Sequence, residues 1–423
     1  MENQDEAAFK NIIGYEKVKQ ELTLILDLLH EPKKYQRFGA HLPNTLLLKG
    51  MPGVGKTLFA QAFLNSSGLP NFILRKDKSK DSFLEEIRAT FKEAIAKAPS
   101  VILLDDFDKF SDADEGEATN AEEFVVVQTC LEECQGKGVF VIATLNEDSA
   151  LPDSLLRAGR FGKTLVLDPP KGEEAEQIIA HYLQGFPLAP NLDIPLLARL
   201  LAGESCAALA EAVNEGALLA GQKNEKWISW EDLVNAALVV VHGQAENKEA
   251  IPQRYRQVTA YHEAGHALIQ ELLEPGSVSF VSIRKFKNEM EGFTLIRMDE
   301  DYFRDIRFMQ NRVKMLLAGK AAVELANEPV DVGSNWDCNR AYEIAERFVD
   351  DYAAYGFAYR NLSSPASEIL KASREDRVRA EIENAYLEDK EVLFQNKGRL
   401  ENFAQRLLEK EILFPQDVQA LMN

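Results

Sequence analysis

Gly50-Met51-Pro52-Gly53-Val54-Gly55-Lys56-Thr57 is the stretch that decides the fold. It matches G-x-x-x-x-G-K-[ST], a glycine-rich turn that joins a strand to a helix and wraps phosphate groups. The flanks agree with that reading. Leu46-Leu47-Leu48 is a short apolar run suited to a buried strand, and Leu58-Phe59-Ala60-Gln61-Ala62-Phe63 opens a helix. Amide groups at the helix start then point at the phosphates of ATP. Lys56 offsets β/γ-phosphate charge, and the Thr57 hydroxyl binds Mg²⁺. A second apolar run, Val101-Ile102-Leu103-Leu104, ends in Asp105-Asp106. Such a strand delivers Asp105 to the Mg²⁺ shell and leaves Asp106 to polarise the attacking water. With Val139–Thr144 as a third apolar run, the segment reads as a parallel α/β domain.

The motif sits in a chain of 423 residues. At roughly 100–200 residues per domain, that length holds two to four domains. A hydrophobic content of 46% is enough for packed cores and excludes a mainly disordered chain. Lys and Arg number 48 against 68 Asp and Glu, a net charge of -20. That balance excludes a nucleic-acid binder working by phosphate neutralisation, and docking on anionic lipid. No apolar run approaches the roughly 18 residues needed to span a membrane. The N-terminus is acidic with no apolar core behind it, so no signal peptide is expected. Cys130, Cys134, Cys206 and Cys338 form no C-x-x-C pair, which suits a reducing cytoplasm.

Punctuation along the chain divides it. Pro169-Pro170 closes the α/β pattern, giving an ATPase domain over residues 1–171. Residues 172–243 have a helical period rich in Leu and Ala and read as a helical lid. A polar stretch from Gly243 to Ala250 marks a hinge. Residues 244–423 form a third, mainly α-helical domain, interrupted by strand-like runs at Val278–Arg284 and Gly292–Arg297.

That third domain opens with Tyr261-His262-Glu263-Ala264-Gly265-His266, an H-E-x-x-H motif. On a helix, positions i and i+4 share a face, so His262 and His266 can chelate one Zn²⁺. Glu263 lies beside the metal, placed to take a proton from water as general base. Two of the chain's six histidines fall here. A catalytic zinc with two histidines needs one more protein ligand, and a carboxylate from elsewhere in the chain is expected.

Further segments carry a family resemblance. They are Ile13-Gly14, Ala143-Thr144-Leu145-Asn146, Leu156-Arg157-Ala158-Gly159-Arg160-Phe161, Pro187–Pro190, Glu211–Ala217 and Gly333–Ala345. With the two motifs above, they make the chain resemble the AAA+ ATPases, and within them the FtsH family of ATP-dependent zinc metalloproteases, from about Phe9 to the end. The resemblance implies that Ile13-Gly14 contacts the adenine and that Asn146 holds the lytic water. Arg157 and Arg160 become arginine fingers reaching a neighbouring subunit of a homo-oligomeric, hexameric ring. Asp337, rather than the adjacent Cys338, becomes the third zinc ligand, and Gly292–Arg297 becomes an edge strand that pairs with extended substrate. The ATP-binding set is then Ile13, Gly14, Gly50, Met51, Pro52, Gly53, Val54, Gly55, Lys56, Thr57, Leu58, Asp105, Asp106 and Asn146. His181 lies near the expected adenine site but one position out of register.

The implied activity is an ATP-dependent zinc metalloendopeptidase acting on unfolded or loosely folded proteins, with a remodelling ATPase or chaperone bearing a vestigial protease site as the alternative. Three features depart from the pattern. No membrane-anchoring segment precedes the ATPase motifs, so a soluble relative or a truncated form is expected. It would lie in the cytoplasm, or at the membrane periphery if a partner or a missing N-terminal segment anchors it. Asp106 stands where most relatives carry Glu. The stretch expected to grip substrate, Arg75–Leu84, is charged, with flexible, hydrated Lys76, Lys78 and Lys80 and a single aromatic, Phe83, which reads either as the grip or as a core residue of the next helix.

Overall fold

The computed structural model describes residues 8–39, 44–77, 79–111, 121–146, 151–152, 154–156, 160–287, 291–297, 305–326, 333–356 and 367–423. The chain divides into two compact units, residues 1–241 and 242–423. The expected boundary, 243/244, falls two residues further on.

The first unit is built on a five-stranded parallel sheet in the order β2-β3-β4-β1-β5. Its strands are β1 (Thr45–Gly50), β2 (Asn71–Leu74), β3 (Ser100–Leu104), β4 (Val139–Leu145) and β5 (Thr164–Leu167). The three central strands are the three apolar runs of the sequence, and β3 and β4 are buried throughout. Continuous apolar strands of this kind need both faces covered by helices, as in α/β folds. The edge strands β2 and β5 are only four residues long and half exposed. They carry too few apolar positions to announce themselves.

Five phenylalanines behind the sheet hold the catalytic edge. Phe107 meets Phe110, Phe124 and Phe161 at 5.1, 5.4 and 5.6 Å between ring centroids. Phe83 completes the group, 4.9 Å from Phe110 and fully buried. Phe83 is thus a core residue of the following helix, and the expectation of hydrated lysines fails at Lys76. That helix, Lys80–Ala96, begins within the charged stretch Arg75–Leu84. Lys76 tucks its side chain in beside Glu123 at 3.7 Å, and Lys80 lies 3.3 Å from Glu122. Lys78 lies outside the described residues.

Four helices, Gly172–Tyr182, Ile194–Leu200, Cys206–Gln222 and Trp230–His242, complete the helical part that begins in this unit. Ser205 caps the third, accepting from the amide of Ala208 at 3.2 Å.

The second unit is mostly helical. Helix Gln253–Leu273 packs on helix Ile306–Leu325, and helices Asn335–Asp350 and Glu368–Gln395 pack against the latter. A small antiparallel sheet has β6 (Val278–Ser282) between β7 (Phe293–Ile296) and β8 (Ile412–Leu413). Among the described residues no helix is long and apolar enough to cross a membrane.

One buried acid stands out here. Asp389 is 1% exposed, and its Oδ2 has no hydrogen-bond partner among the described residues. Burial pushes its carboxyl up to about 8, with Lys314 and His266 offsetting only part of that. Between about pH 4 and 8 the folded chain therefore holds a proton that the unfolded chain releases. The contribution of this group to stability falls as pH rises through that window. Asp389→Asn, which cannot ionise, should remove that fall, so its stability relative to wild type should be higher at pH 8 than at pH 4. Urea unfolding of the whole chain at both pH values checks this, and equal differences from wild type at the two would contradict it.

Candidate active site

Two constellations emerge, one in each unit. In the first, the glycine-rich turn leaves β1 and enters helix Lys56–Ser67. Gly55 takes φ 99°, a left-handed conformation that side chains resist. Asp105 leaves the end of β3, so both meet at the carboxyl edge of a parallel sheet, where such folds bind ligands. The Thr57 hydroxyl donates to Asp105 Oδ1 at 2.9 Å, and the Thr144 hydroxyl donates to the same oxygen at 2.9 Å. Lys56 is buried and donates from Nζ to the carbonyls of Gly50 and Met51, both at 2.8 Å. Burial lowers its pKa, while Asp108, Asp106 and Asp105 pull the other way. A hydroxyl paired with a carboxylate, beside an inward lysine and a glycine turn, is a donor set that fits Mg²⁺ and ATP.

The acid after Asp105 is already engaged. Asp106 sits at φ 51°, and its Oδ2 accepts from Lys109 at 2.8 Å and Arg75 at 3.1 Å. Burial works against its charge, yet those two cations hold its carboxyl below the usual range. Asn146 donates from its backbone and side-chain amides to Asp108 at 3.2 and 3.3 Å. Neither Asp108 nor Thr144 was singled out in the sequence, although both flank residues that were.

The other expected nucleotide contacts are placed as follows. Gly14 takes φ 75°, and the amide of the following Tyr15 donates to Glu174 Oε1. Glu174 belongs to the first helix of the helical part, as does His181. The amide of Ala207 donates to the carbonyl of Gly53 at 3.1 Å, so the cap of helix Cys206–Gln222 touches the turn. Val54 is buried, whereas Met51, Pro52 and Leu58 are exposed. Arg160 is bound within its own chain, to Glu132 Oε1 at 2.6 Å and to the carbonyl of Ser154. Arg157 lies outside the described residues.

The second constellation is set by helix packing. At Gly265 an added Cβ would lie 2.5 Å from the carbonyl oxygen of Ala318 and 2.6 Å from the Ala322 Cβ. At Gly319 it would lie 2.5 Å from His266 Nε2 and 2.7 Å from His262 Cε1. Only glycine permits this approach, and it brings helix Ile306–Leu325 directly behind the two imidazoles. The carbonyl of Met315 then faces His266 Nδ1 at 2.6 Å. A carbonyl can only accept, so Nδ1 carries the proton and Nε2 is free to ligate.

Asp337, from the first turn of helix Asn335–Asp350, closes the site. Its Oδ2 lies 3.1 Å from His262 Nε2 and 3.4 Å from His266 Nε2. The three ligand atoms lie within 4.8 Å of one another. Burial opposes a charge on His266, but the Asp337 carboxylate outweighs it and lifts the imidazole to about 9. Burial likewise opposes the charge on Asp337, yet the two histidines hold its carboxyl far below the usual range. Two imidazole nitrogens and a carboxylate oxygen, aimed at one point, are the donor set of a catalytic zinc. Cys338 is not in the cluster. Glu263 is buried, which pushes its carboxyl up, and the Thr294 hydroxyl donates to its Oε2 at 2.8 Å.

The comparisons agree with this pairing of sites. The model of the ATPase family associated with various cellular activities (AAA) matches residues 46–169, and that of Peptidase family M41 matches residues 249–421. An AAA ATPase joined to an M41 peptidase is the class that these two matches define. The ATP-dependent zinc metalloprotease FtsH 3 of Petrotoga mobilis is 31% identical over 453 residues, covering 98% of this chain and 69% of its own length. The ATP-dependent zinc metalloprotease FtsH of Caldicellulosiruptor bescii is 31% identical, covering 98% and 72%. That of Rhodothermus marinus is 30% identical, covering 98% and 63%. The chain belongs to the FtsH family of ATP-dependent zinc metalloproteases.

The geometry yields a test of the metal site. Gly319→Ala, which drives a methyl into both imidazoles, should lower zinc affinity about 10–100-fold. Asp337→Ala should lower it as well, by removing a ligand. ATP turnover should stay at wild type in both. Competition titration with a chelating dye measures the affinity, and an unchanged value in Gly319→Ala would contradict the packing argument.

Proposed function

We propose that this chain couples ATP hydrolysis to endoproteolysis, with His262, His266 and Asp337 holding the zinc and Glu263 moving the proton. The convergence of those three ligand atoms beside a buried glutamate carries the reading. It favours a working protease over a remodelling ATPase with a vestigial site. The ATPase domain is residues 1–171, the lid 172–243 and the peptidase domain 244–423. A hexameric ring taking unfolded or loosely folded proteins is the assembly that best suits the family, set in the cytoplasm, or at the membrane periphery if a partner or a further segment anchors it.

Zinc supplies Lewis-acid polarisation of the scissile carbonyl and of water at its open position. His266 presents Nε2 because Met315 holds its Nδ1 proton. Glu263 accepts a proton from the water at its carboxylate and returns it to the leaving amine. Its burial keeps bulk water away and raises its basicity.

In the ATPase domain Lys56 offsets phosphate charge, and Thr57 with Asp105 holds Mg²⁺. Asn146 orients the lytic water and Asp106 polarises it, once freed from Arg75 and Lys109. Arg157 and Arg160 act on the neighbouring subunit's nucleotide, which for Arg160 requires release from Glu132.

Glu263→Gln should abolish casein cleavage and leave zinc content and ATP turnover near wild type. Metal analysis and phosphate release check the two controls. Residual proteolysis above a few per cent of wild type would count against the assignment of Glu263.

The gripping segment leads to a second test. Phe83 is buried and Lys76 and Lys80 are ion-paired, so no aromatic is displayed there among the described residues. Unfolding a stable domain requires overcoming about 5–15 kcal/mol. A destabilised fluorescent domain should therefore be degraded much faster than its stable parent bearing the same tag. Equal ATP-driven rates for the two would show that something else grips.

A further inference from the structure

The residue that orients the general base lies on the strand expected to receive substrate. Strand β7 pairs with β6 on one side, Thr294 opposite Val281 and Phe293 opposite Ser282. Among the described residues its other side is an edge. Successive side chains alternate between faces, so Gly292 and Thr294 point the same way and Phe293 the other. Phe293 stacks on Phe280 at 5.5 Å. The face shared by Gly292 and Thr294 meets helix Gln253–Leu273 at Glu263. A Cβ at Gly292 would lie 2.9 Å from Glu263 Oε1 and 2.8 Å from both Thr259 Cγ2 and the carbonyl oxygen of Ser282. Two residues on, the Thr294 hydroxyl donates to Glu263 Oε2 at 2.8 Å. One carboxylate oxygen has room because glycine has no side chain, and the other is tethered by a hydroxyl.

We propose that Thr294 is a positioning residue for peptide hydrolysis, fixing the Glu263 carboxylate in register with a substrate strand laid along β7. The backbone of β7 sets where the scissile carbonyl falls, by main-chain hydrogen bonding. The side chain of the same strand sets where the base points. Base and substrate are thus located by one element, and a shift of β7 moves both together. A tether to Oε2 costs the reaction little, because Oε1 remains to take the proton. Proton transfer is sensitive to sub-ångström placement of the base, so the hydroxyl acts on turnover and not on binding.

This rests on the reading of Glu263 as the base, and the test separates the two. Thr294→Val keeps the branched shape suited to a strand and removes only the hydroxyl. Casein turnover by the full chain should fall about tenfold or more in kcat, the scale of a lost partner behind a catalytic group. KM should stay within about twofold, because an unchanged backbone still pairs with substrate. Zinc content and ATP turnover should match wild type. Thr294→Ser, which restores the hydroxyl, should recover most of the loss. Wild-type kcat in Thr294→Val, with Glu263→Gln inactive alongside, would overturn the inference and leave the base intact. Equal losses in Thr294→Val and Thr294→Ser, or a loss confined to KM, would also overturn it. Full activity in Glu263→Gln would overturn the base and the inference together.

Discussion

The peptidase unit depends on one close approach, between helix Gln253–Leu273 and helix Ile306–Leu325. Gly265 lets the first helix lie against the backbone at Ala318, and Gly319 lets the second lie against both imidazoles. Close-packed interiors transmit such constraints because no slack is left to absorb them. The approach brings the Met315 carbonyl to His266 Nδ1, which selects the tautomer, which frees Nε2. Asp337 then meets two nitrogens already aimed at one point. Burial opposes the charges, yet the Asp337 carboxylate raises His266 and the two histidines lower Asp337, so positive charge is favoured where the three groups meet. A zinc ion held by His262, His266 and Asp337 would draw on that same attraction.

The ATPase site is organised differently, around a charge instead of a packing contact. Asp105 is buried at the end of β3 and accepts from Thr57 and Thr144 at the same oxygen. A buried carboxylate needs its oxygens satisfied, and here two hydroxyls serve Oδ1 while Oδ2 lies 3.8 Å from Arg75 Nε. Thr144 also accepts from the amide of Asp106, at 2.8 Å, which ties β4 to the turn after β3. The five phenylalanines behind this turn keep it stiff, so the acids are held by packing on one side and hydrogen bonds on the other.

Much of this was legible in the sequence, for identifiable reasons. The P-loop and H-E-x-x-H motifs are local, and local spacing on a known element fixes geometry. The three central strands showed because each buries three or more apolar residues in a row. Strands β2, β5 and β8 did not, being two to four residues long. Phe83 was placed by the structure in the core, where a helix begins earlier than the charged run suggested. The residues that support the sites were hardest to read. Gly319 meets both imidazoles, Met315 meets His266 and Thr294 meets Glu263 from other elements, and no local pattern marks them. Asp389 stands among charged residues in the sequence, whereas the fold buries it.

Zinc K-edge X-ray absorption on the purified chain, with the metal counted by mass spectrometry, probes the donor set most directly. A chain that holds zinc through His262, His266 and Asp337 should bind one ion and show a shell of nitrogen and oxygen at about 2.0–2.2 Å, with imidazole outer scattering and no sulfur. A sulfur shell at about 2.3 Å, as ligation by Cys338 would give, or zinc well below one per chain, would contradict the site described here.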